Sequence, residues 1–180
     1  MHGIRKRISL PAALALAALV AGLLAACGSG PLSPGDELRD FRLETLDRSR
    51  FYYADHRGRV GVILFWSTIC QGCKEELAAL SEMAGELSGP GLWVAAACVD
   101  PADRAGVESL VRDMGVRIPV LLDPGGKLFS QWGFKEVPAT VIIAADGRAD
   151  LVRQGYDPAV MKQIRARTQN LLEDRNQGPL

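Results

Sequence analysis

Two cysteines separated by two residues, Cys70 and Cys73, have the type and spacing to do chemistry. A thiolate is the reactive form of cysteine, and two thiols this close can form a small disulfide or reopen it through a mixed disulfide. An apolar run, Val60–Trp66, precedes the pair, and leucines at helical spacing follow it, which predicts a strand before the cysteines and a helix starting at them. Unpaired N–H groups and a partial positive charge at a helix start favour a thiolate there.

Other uses of the cysteine pair fit the sequence less well. A zinc site needs two further ligands, but the histidines are His2, in the N-terminal segment, and His56, isolated in a charged turn. Haem attachment needs a histidine directly after Cys73, where Lys74 stands. A purely structural disulfide at this spacing closes a short loop and constrains the unfolded chain weakly. We therefore predict a redox-active pair with neither a metal nor an organic cofactor.

The rest of the chain predicts strands and helices that alternate around this pair. Residues 41–43 and 51–53 flank a polar turn and predict an N-terminal hairpin. Further strands are predicted at 60–66, 92–99, 120–122, 141–143 and 151–152, and helices at 73–87, 103–114, 127–132 and 157–173. This order predicts an α/β fold in which helices flank a central mixed β-sheet, with the β-hairpin as an N-terminal extension. Cys98, inside a predicted buried strand, is expected to be a small core residue.

The N-terminus has the pattern of an export signal. Residues 5–7, Arg-Lys-Arg, precede an uncharged apolar run at 8–24. An uncleaved membrane anchor is the alternative, because the run is near the lower length limit for a spanning helix. Residues 24–27, Leu-Ala-Ala-Cys, resemble the lipobox of bacterial lipoproteins, in which the cysteine is lipidated and becomes the new N-terminus. We predict a signal peptide at 1–26, lipidated Cys27 with a flexible tether at 27–35, a folded domain at 36–174 and a tail at 175–180.

The charge balance argues against a nucleic-acid partner. The chain has 21 lysine and arginine residues and 21 aspartate and glutamate residues. Loss of the signal segment would leave 18 basic side chains against 21 acidic ones, a net charge of about −3. Such a weak and mixed charge does not favour binding to nucleic acid.

Several separate motifs resemble those of the membrane-anchored, thioredoxin-like thiol–disulfide oxidoreductases of the ResA/TlpA/DsbE type, over residues 34–172. The motifs are Ile63-Leu64-Phe65-Trp66, Cys70-x-x-Cys73-Lys74, Val99-Asp100, Pro119-Val120-Leu121-Leu122-Asp123 and Val137-Pro138-Ala139-Thr140. The resemblance implies a thioredoxin-like fold and dithiol/disulfide exchange with client proteins. It favours reduction of clients such as apocytochromes in cytochrome c maturation, with a membrane thiol–disulfide protein as electron donor. We expect a monomeric lipoprotein, anchored to a bacterial membrane outside the cytoplasm.

The resemblance also implies roles for individual residues. Cys70, at the exposed helix start, would attack or be attacked, and Cys73 would resolve the mixed disulfide. Pro138 would follow a cis peptide bond, with Val137 pairing to substrate through its backbone; Trp66 is also expected to contact substrate. Glu76 matches a glutamate that could exchange a proton with the resolving thiol. The alternative for Glu76 is a solvated helix glutamate, because helix phase alone does not place its side chain.

Three departures from the family pattern affect redox potential and partner choice. Ile69 replaces a frequent tryptophan, Gly72 replaces a frequent proline, and Ala78 stands where a helix proline is common.

One alternative function is a peroxiredoxin-like thiol peroxidase, whose Pro-x-x-x-Thr/Ser-x-x-Cys motif is matched at Ser67 but has Ile63 in place of its proline. Another is a Sco-like copper-handling lipoprotein, which uses two cysteines separated by three residues and a distant histidine.

Overall fold

The computed structural model describes residues 30–100 and 103–177. The predicted signal peptide and the predicted lipidation site, Cys27, lie outside these residues. None of the helices in the described part of the chain is both long enough and apolar enough to cross a membrane.

A seven-stranded mixed sheet forms the centre of the domain. Its strands are β1 (Arg42–Thr45), β2 (Arg50–Tyr52), β3 (Val60–Trp66), β4 (Leu92–Cys98), β5 (Val120–Leu122), β6 (Ala139–Ile143) and β7 (Ala149–Gln154), in the order β2-β1-β5-β4-β3-β6-β7. Strand β3 pairs in parallel with β4 and antiparallel with β6. The N-terminal hairpin, β1–β2, extends the sheet by pairing with β5. The predicted mixed sheet and hairpin are both confirmed.

Within the described residues four α-helices accompany the sheet: α1 (Gln71–Glu86), α2 (Arg104–Asp113), α3 (Lys127–Gln131) and α4 (Pro158–Gln177). Asp103 caps α2 as predicted, because its side chain accepts a hydrogen bond from the Gly106 N–H. Helix α4 runs beyond the predicted end at residue 173. Arg175, in its last turn, donates a hydrogen bond to the Gly58 carbonyl, a contact with the body of the domain that holds this turn.

Strand β3 is buried along its whole length, so its alternating side chains contribute to both faces of the sheet. On one face Leu64 joins Leu77 and Leu80 of α1 in a core that also includes Ile164 of α4. On the other face Phe65 packs among aromatic residues from the hairpin, β4 and the α3 region: Phe51, Tyr53, Trp93, Trp132 and Phe134. The sheet is therefore fixed from both sides at the point where β3 ends and α1 begins.

The ordered domain begins earlier than the predicted boundary at residue 36. The Leu32 N–H donates to the Trp132 carbonyl at 2.9 Å, and the Gly35 N–H donates to the Ala149 carbonyl at 2.7 Å. Leu32 also packs against the aromatic face of the core. Residues 31–35, predicted as part of a flexible tether, are thus attached to the domain by backbone bonds and apolar burial.

Candidate active site

Cys70 and Cys73 form a disulfide at the start of α1, with their Cα atoms 5.2 Å apart. Cys70 is the N-cap of the helix, and its Sγ accepts a hydrogen bond from the Cys73 N–H at 3.1 Å. Cys70 is partly exposed, whereas Cys73 is completely buried, with 0% of its surface accessible. The predicted position of the pair is confirmed, and Cys70 carries the sulfur that an incoming group can reach.

Asp100, which follows β4, fixes the loop that leads into Cys70. Its carboxylate accepts hydrogen bonds from the Ser67 hydroxyl at 2.5 Å, the Thr68 N–H at 2.7 Å and the Thr68 hydroxyl at 2.5 Å. Burial by itself would raise the pKa of Asp100, but the hydrogen bonds from Ser67 and Thr68 outweigh it and hold the pKa below its ordinary value. An ionised Asp100 therefore holds the backbone two residues before the reactive cysteine.

The Val137–Pro138 peptide bond is cis, as predicted. The Val137 carbonyl oxygen lies 3.9 Å from Cys70 Sγ, so this loop borders the disulfide directly. The loop leads into β6, whose first residue, Ala139, pairs with Phe65 of β3. The Pro138 carbonyl accepts a hydrogen bond from the Gly155 N–H at 2.9 Å. The pairing of β3 with β6 thus brings Cys70 and Pro138, which are far apart in the sequence, to the same end of these two strands.

Glu76 lies one helical turn after Cys73 and is buried, with 2% of its surface accessible. Its Oε1 accepts a hydrogen bond from the Thr140 hydroxyl at 2.5 Å. Burial raises the pKa of Glu76, and the Thr140 bond offsets this effect only in part. The alternative of a solvated helix glutamate is therefore wrong for Glu76, since its carboxyl group is inside the protein on the same helix as the cysteines.

Four further residues determine what surrounds the disulfide on the surface. The side chain of Ile69, directly before Cys70, is 91% exposed. The ring of Tyr156, from the loop between β7 and α4, lies against Gly72. The Tyr156 hydroxyl donates a hydrogen bond to Glu75 on α1. Neither Tyr156 nor Asp100 was assigned to the site from sequence, although an acidic residue directly after a buried strand is a usable signal for Asp100.

Comparisons with known proteins agree with this geometry. The family model described as the AhpC/TSA family matches residues 34–151. The chain belongs to the AhpC/TSA family. It is 27% identical over 114 residues to the thiol-disulfide oxidoreductase ResA of Bacillus thuringiensis (strain Al Hakam), which covers 63% of this chain and 65% of the relative's length. With ResA of Bacillus subtilis (strain 168) it is 26% identical over 128 residues, 71% of each chain.

Solved structures place this AhpC/TSA member in the thioredoxin-like fold. A secreted thiol-disulfide isomerase from Corynebacterium glutamicum aligns with a TM-score of 0.67 and 20% identity, covering 82% of this chain and 95% of the other. StoA from Bacillus subtilis aligns with a TM-score of 0.61 and 17% identity, covering 76% and 98%. The predicted fold and the resemblance to the ResA/TlpA/DsbE type are confirmed.

Trp66 differs from its predicted role in substrate contact. Its side chain is completely buried, 0% exposed, and packs in the core on the helix face of β3. The side-chain direction alternates along a strand, and the register of β3 turns Trp66 inward while the chain continues to the exposed Ile69. We therefore assign Trp66 to the core beneath the site, where a client that docks on the oxidised protein does not contact it.

Cys98 is buried and free, as the sequence predicted for a core residue. It pairs with Trp66 across the β3–β4 ladder, below the reactive loop. Burial raises the pKa of the Cys98 thiol to about 12, with smaller effects from Asp100. Cys98 is therefore a thiol without thiolate character at neutral pH.

Ser67, the residue that matches the thiol peroxidase motif, has a structural role in this protein. The Ser67 hydroxyl donates its hydrogen bond to Asp100, and Ile63, at the place of the family's proline, lies inside β3 with a fully buried side chain. Both positions support the loop and the sheet, which argues against the peroxidase alternative.

A cavity of about 860 Å³ lies elsewhere, between the N-terminal hairpin and the first half of β4. Its lining includes Leu46, Phe51, His56, Leu92 and Trp93, but neither cysteine of the disulfide. The disulfide is bordered instead by the exposed Ile69 and the loop of Pro138. Such an open setting suits a macromolecular client.

Proposed function

We propose that the chain is a thiol–disulfide oxidoreductase that exchanges the Cys70–Cys73 disulfide with cysteines of client proteins. The asymmetry of the pair carries the proposal: Cys70 is partly exposed at the start of α1, whereas Cys73 is fully buried inside it. The ResA relatives are named for this activity, which supports the proposal. The favoured direction is reduction of the client.

In that direction the Cys70 thiolate attacks one sulfur of a client disulfide. A Cys70–client bond forms, the client S–S bond breaks, and the electron pair leaves on the second client sulfur, which takes a proton. The Cys73 thiolate then attacks Cys70 Sγ, which forms the Cys70–Cys73 disulfide and releases the first client sulfur as a thiolate. The client gains two electrons and the cysteine pair loses two. Oxidation of a client dithiol is the same sequence in reverse.

Glu76 is the proton acceptor that we assign to Cys73 in the second step. The Cys73 thiol must lose its proton before it can attack, and it is shielded from solvent. Glu76 lies on the same helix one turn away, and its raised pKa brings its proton affinity closer to that of a thiol.

Val137 and Pro138 border Cys70, where a client segment would pair with the Val137 backbone.

The decisive experiment is reduction of a protein disulfide, followed in parallel in two single variants. Cys70→Ser should abolish turnover, because the accessible sulfur is gone. Cys73→Ser should accumulate mixed disulfides with clients, because the resolving thiol is gone. Mixed disulfides that form through Cys73 in Cys70→Ser, with none in Cys73→Ser, would reverse the assignment.

Membrane attachment through a lipid on Cys27 is a further part of the proposal, supported by the lipobox-like residues 24–27. It would hold the domain outside the cytoplasm, close to a membrane thiol–disulfide donor and to clients such as apocytochromes. Metabolic labelling with a fatty acid should mark the full chain, and Cys27→Ser should remove the label. Labelling that survives this replacement would show that Cys27 is not the attachment site.

A further inference from the structure

Tyr156 stands where a side chain at position 72 would be. A Cβ atom built on Gly72 would lie 2.5 Å from Tyr156 Cγ and 2.6 Å from Tyr156 Cβ. These are the atoms nearest the tyrosine backbone, so rotation at the end of the side chain does not relieve the overlap. Tyr156 therefore occupies the space that any side chain at position 72 would need.

A network of hydrogen bonds holds the tyrosine in this position. The Tyr156 hydroxyl donates to one oxygen of Glu75, and the Gln71 side-chain amide donates to the other at 3.2 Å. The Tyr156 bond, followed by the Gln71 bond, lowers the pKa of Glu75, while the bond to Glu75 raises the pKa of Tyr156. At neutral pH the pair is thus an ionised carboxylate and a neutral phenol. The clamp joins the loop before α4 to the first turns of α1.

The surroundings of the disulfide are therefore unequal. Ile69, before Cys70, projects into solvent, whereas the Tyr156 ring covers Gly72, between the two cysteines. Resting on the proposed exchange activity, we propose that Tyr156 is a specificity-determining residue that closes the Gly72 side of the disulfide to bulky clients. The substrates are disulfides in flexible, extended segments that approach over Ile69. Disulfides on rigid protein surfaces collide with the ring.

The test compares three substrates: hydroxyethyl disulfide, a flexible peptide with one disulfide, and a folded protein with a surface disulfide. In Tyr156→Ala we expect kcat/KM for the folded protein to rise roughly tenfold, the size of one modest steric barrier. The values for hydroxyethyl disulfide and the peptide should change less than about twofold. Tyr156→Phe is the matched control: it loses the Glu75 bond and keeps the ring, so it should still exclude the folded protein.

A second variant approaches the contact from the helix. Gly72→Ala adds only a Cβ atom, whose overlap forces Tyr156 to shift, and should raise the ratio of folded-protein turnover to hydroxyethyl disulfide turnover. A change in redox potential acts on all three substrates alike and leaves this ratio unaltered. Equal changes on all three substrates, or no gain on the folded protein in either variant, would overturn the proposal. Failure of the unmodified protein to reduce hydroxyethyl disulfide would instead overturn the exchange activity itself. The two failures are therefore distinguishable.

Discussion

Thr140, on β6, donates a hydrogen bond to Glu76, on α1, at a distance of 2.5 Å, and both side chains are buried. Because burial raises the pKa of Glu76, the folded protein binds this proton more tightly than the unfolded chain does. The stabilising contribution is complete below the unfolded pKa, about 4.3, and is lost as pH rises through the folded pKa. At neutral pH the folded protein therefore carries the cost of ionising this group.

Glu76→Gln should consequently raise the melting temperature at pH 8 and leave it almost unchanged at pH 4. The same variant should slow release of the mixed disulfide about 100-fold, because an amide does not accept the Cys73 proton. Glu82→Gln, at an exposed position of the same helix, is the control and should do neither. A melting difference that is constant between pH 4 and pH 8 would contradict the buried titration.

Asp100→Ala should destabilise the protein by about 2 kcal/mol at neutral pH, because three hydrogen bonds to its carboxylate are lost. The lowered pKa of Asp100 means that its contribution is present above the unfolded pKa and disappears as pH falls through the folded pKa. Reduction of a protein disulfide should slow about tenfold, because Cys70 is less well positioned. Denaturant melts and turnover at two pH values check both effects.

Asp103→Ala provides the matched control for Asp100→Ala. It removes an aspartate that caps α2 and should cost about 1 kcal/mol. Because α2 does not carry the disulfide, turnover should be unchanged. If both variants slow turnover equally, loss of stability and not loop positioning is the cause.

The sequence was most informative where local chemistry decides structure. The apolar run at Val60–Trp66 and the cap at Asp103 lie in single segments, so their patterns predict a strand and a helix start directly. Pairing of Glu75 with Tyr156 joins residues 81 apart in the chain, and nothing local marks either partner. Whether the Glu76 side chain points to the core or to solvent likewise depends on how α1 packs against β6.

Gly72 and Tyr156 should be energetically coupled. In a Tyr156→Gly background, which removes both Cβ and the ring, Gly72→Ala should stabilise the protein by about 0.5 kcal/mol, because alanine suits a helix better than glycine. With Tyr156 present, the same change should destabilise by about 1 kcal/mol, because the added Cβ overlaps the ring. Chemical denaturation of the four proteins measures the coupling, and additive effects would mean that the ring moves aside without cost.

Cys98 should be inert in the folded protein. With its pKa raised to about 12 by burial, its thiolate fraction at pH 8 is small. Alkylation should be roughly 1000-fold slower than for a free cysteine with a pKa near 8.5. In an oxidised Cys27→Ser variant, iodoacetamide should label no thiol in buffer and one in denaturant. Rapid labelling in buffer would place Cys98 at the surface.

The support that Asp100 gives to the reactive loop has a consequence for engineering. Asp100, just after β4, accepts hydrogen bonds from the Thr68 N–H and from the hydroxyls of Ser67 and Thr68. The side chains of Ile69 and Gln71 take no part in these bonds and stay exposed. The residues that aim Cys70 are thus separate from those on the surface around it. Randomising Ile69 should change client preference at nearly constant stability, which makes this exposed position an exchangeable recognition site on an unaltered frame of hydrogen bonds.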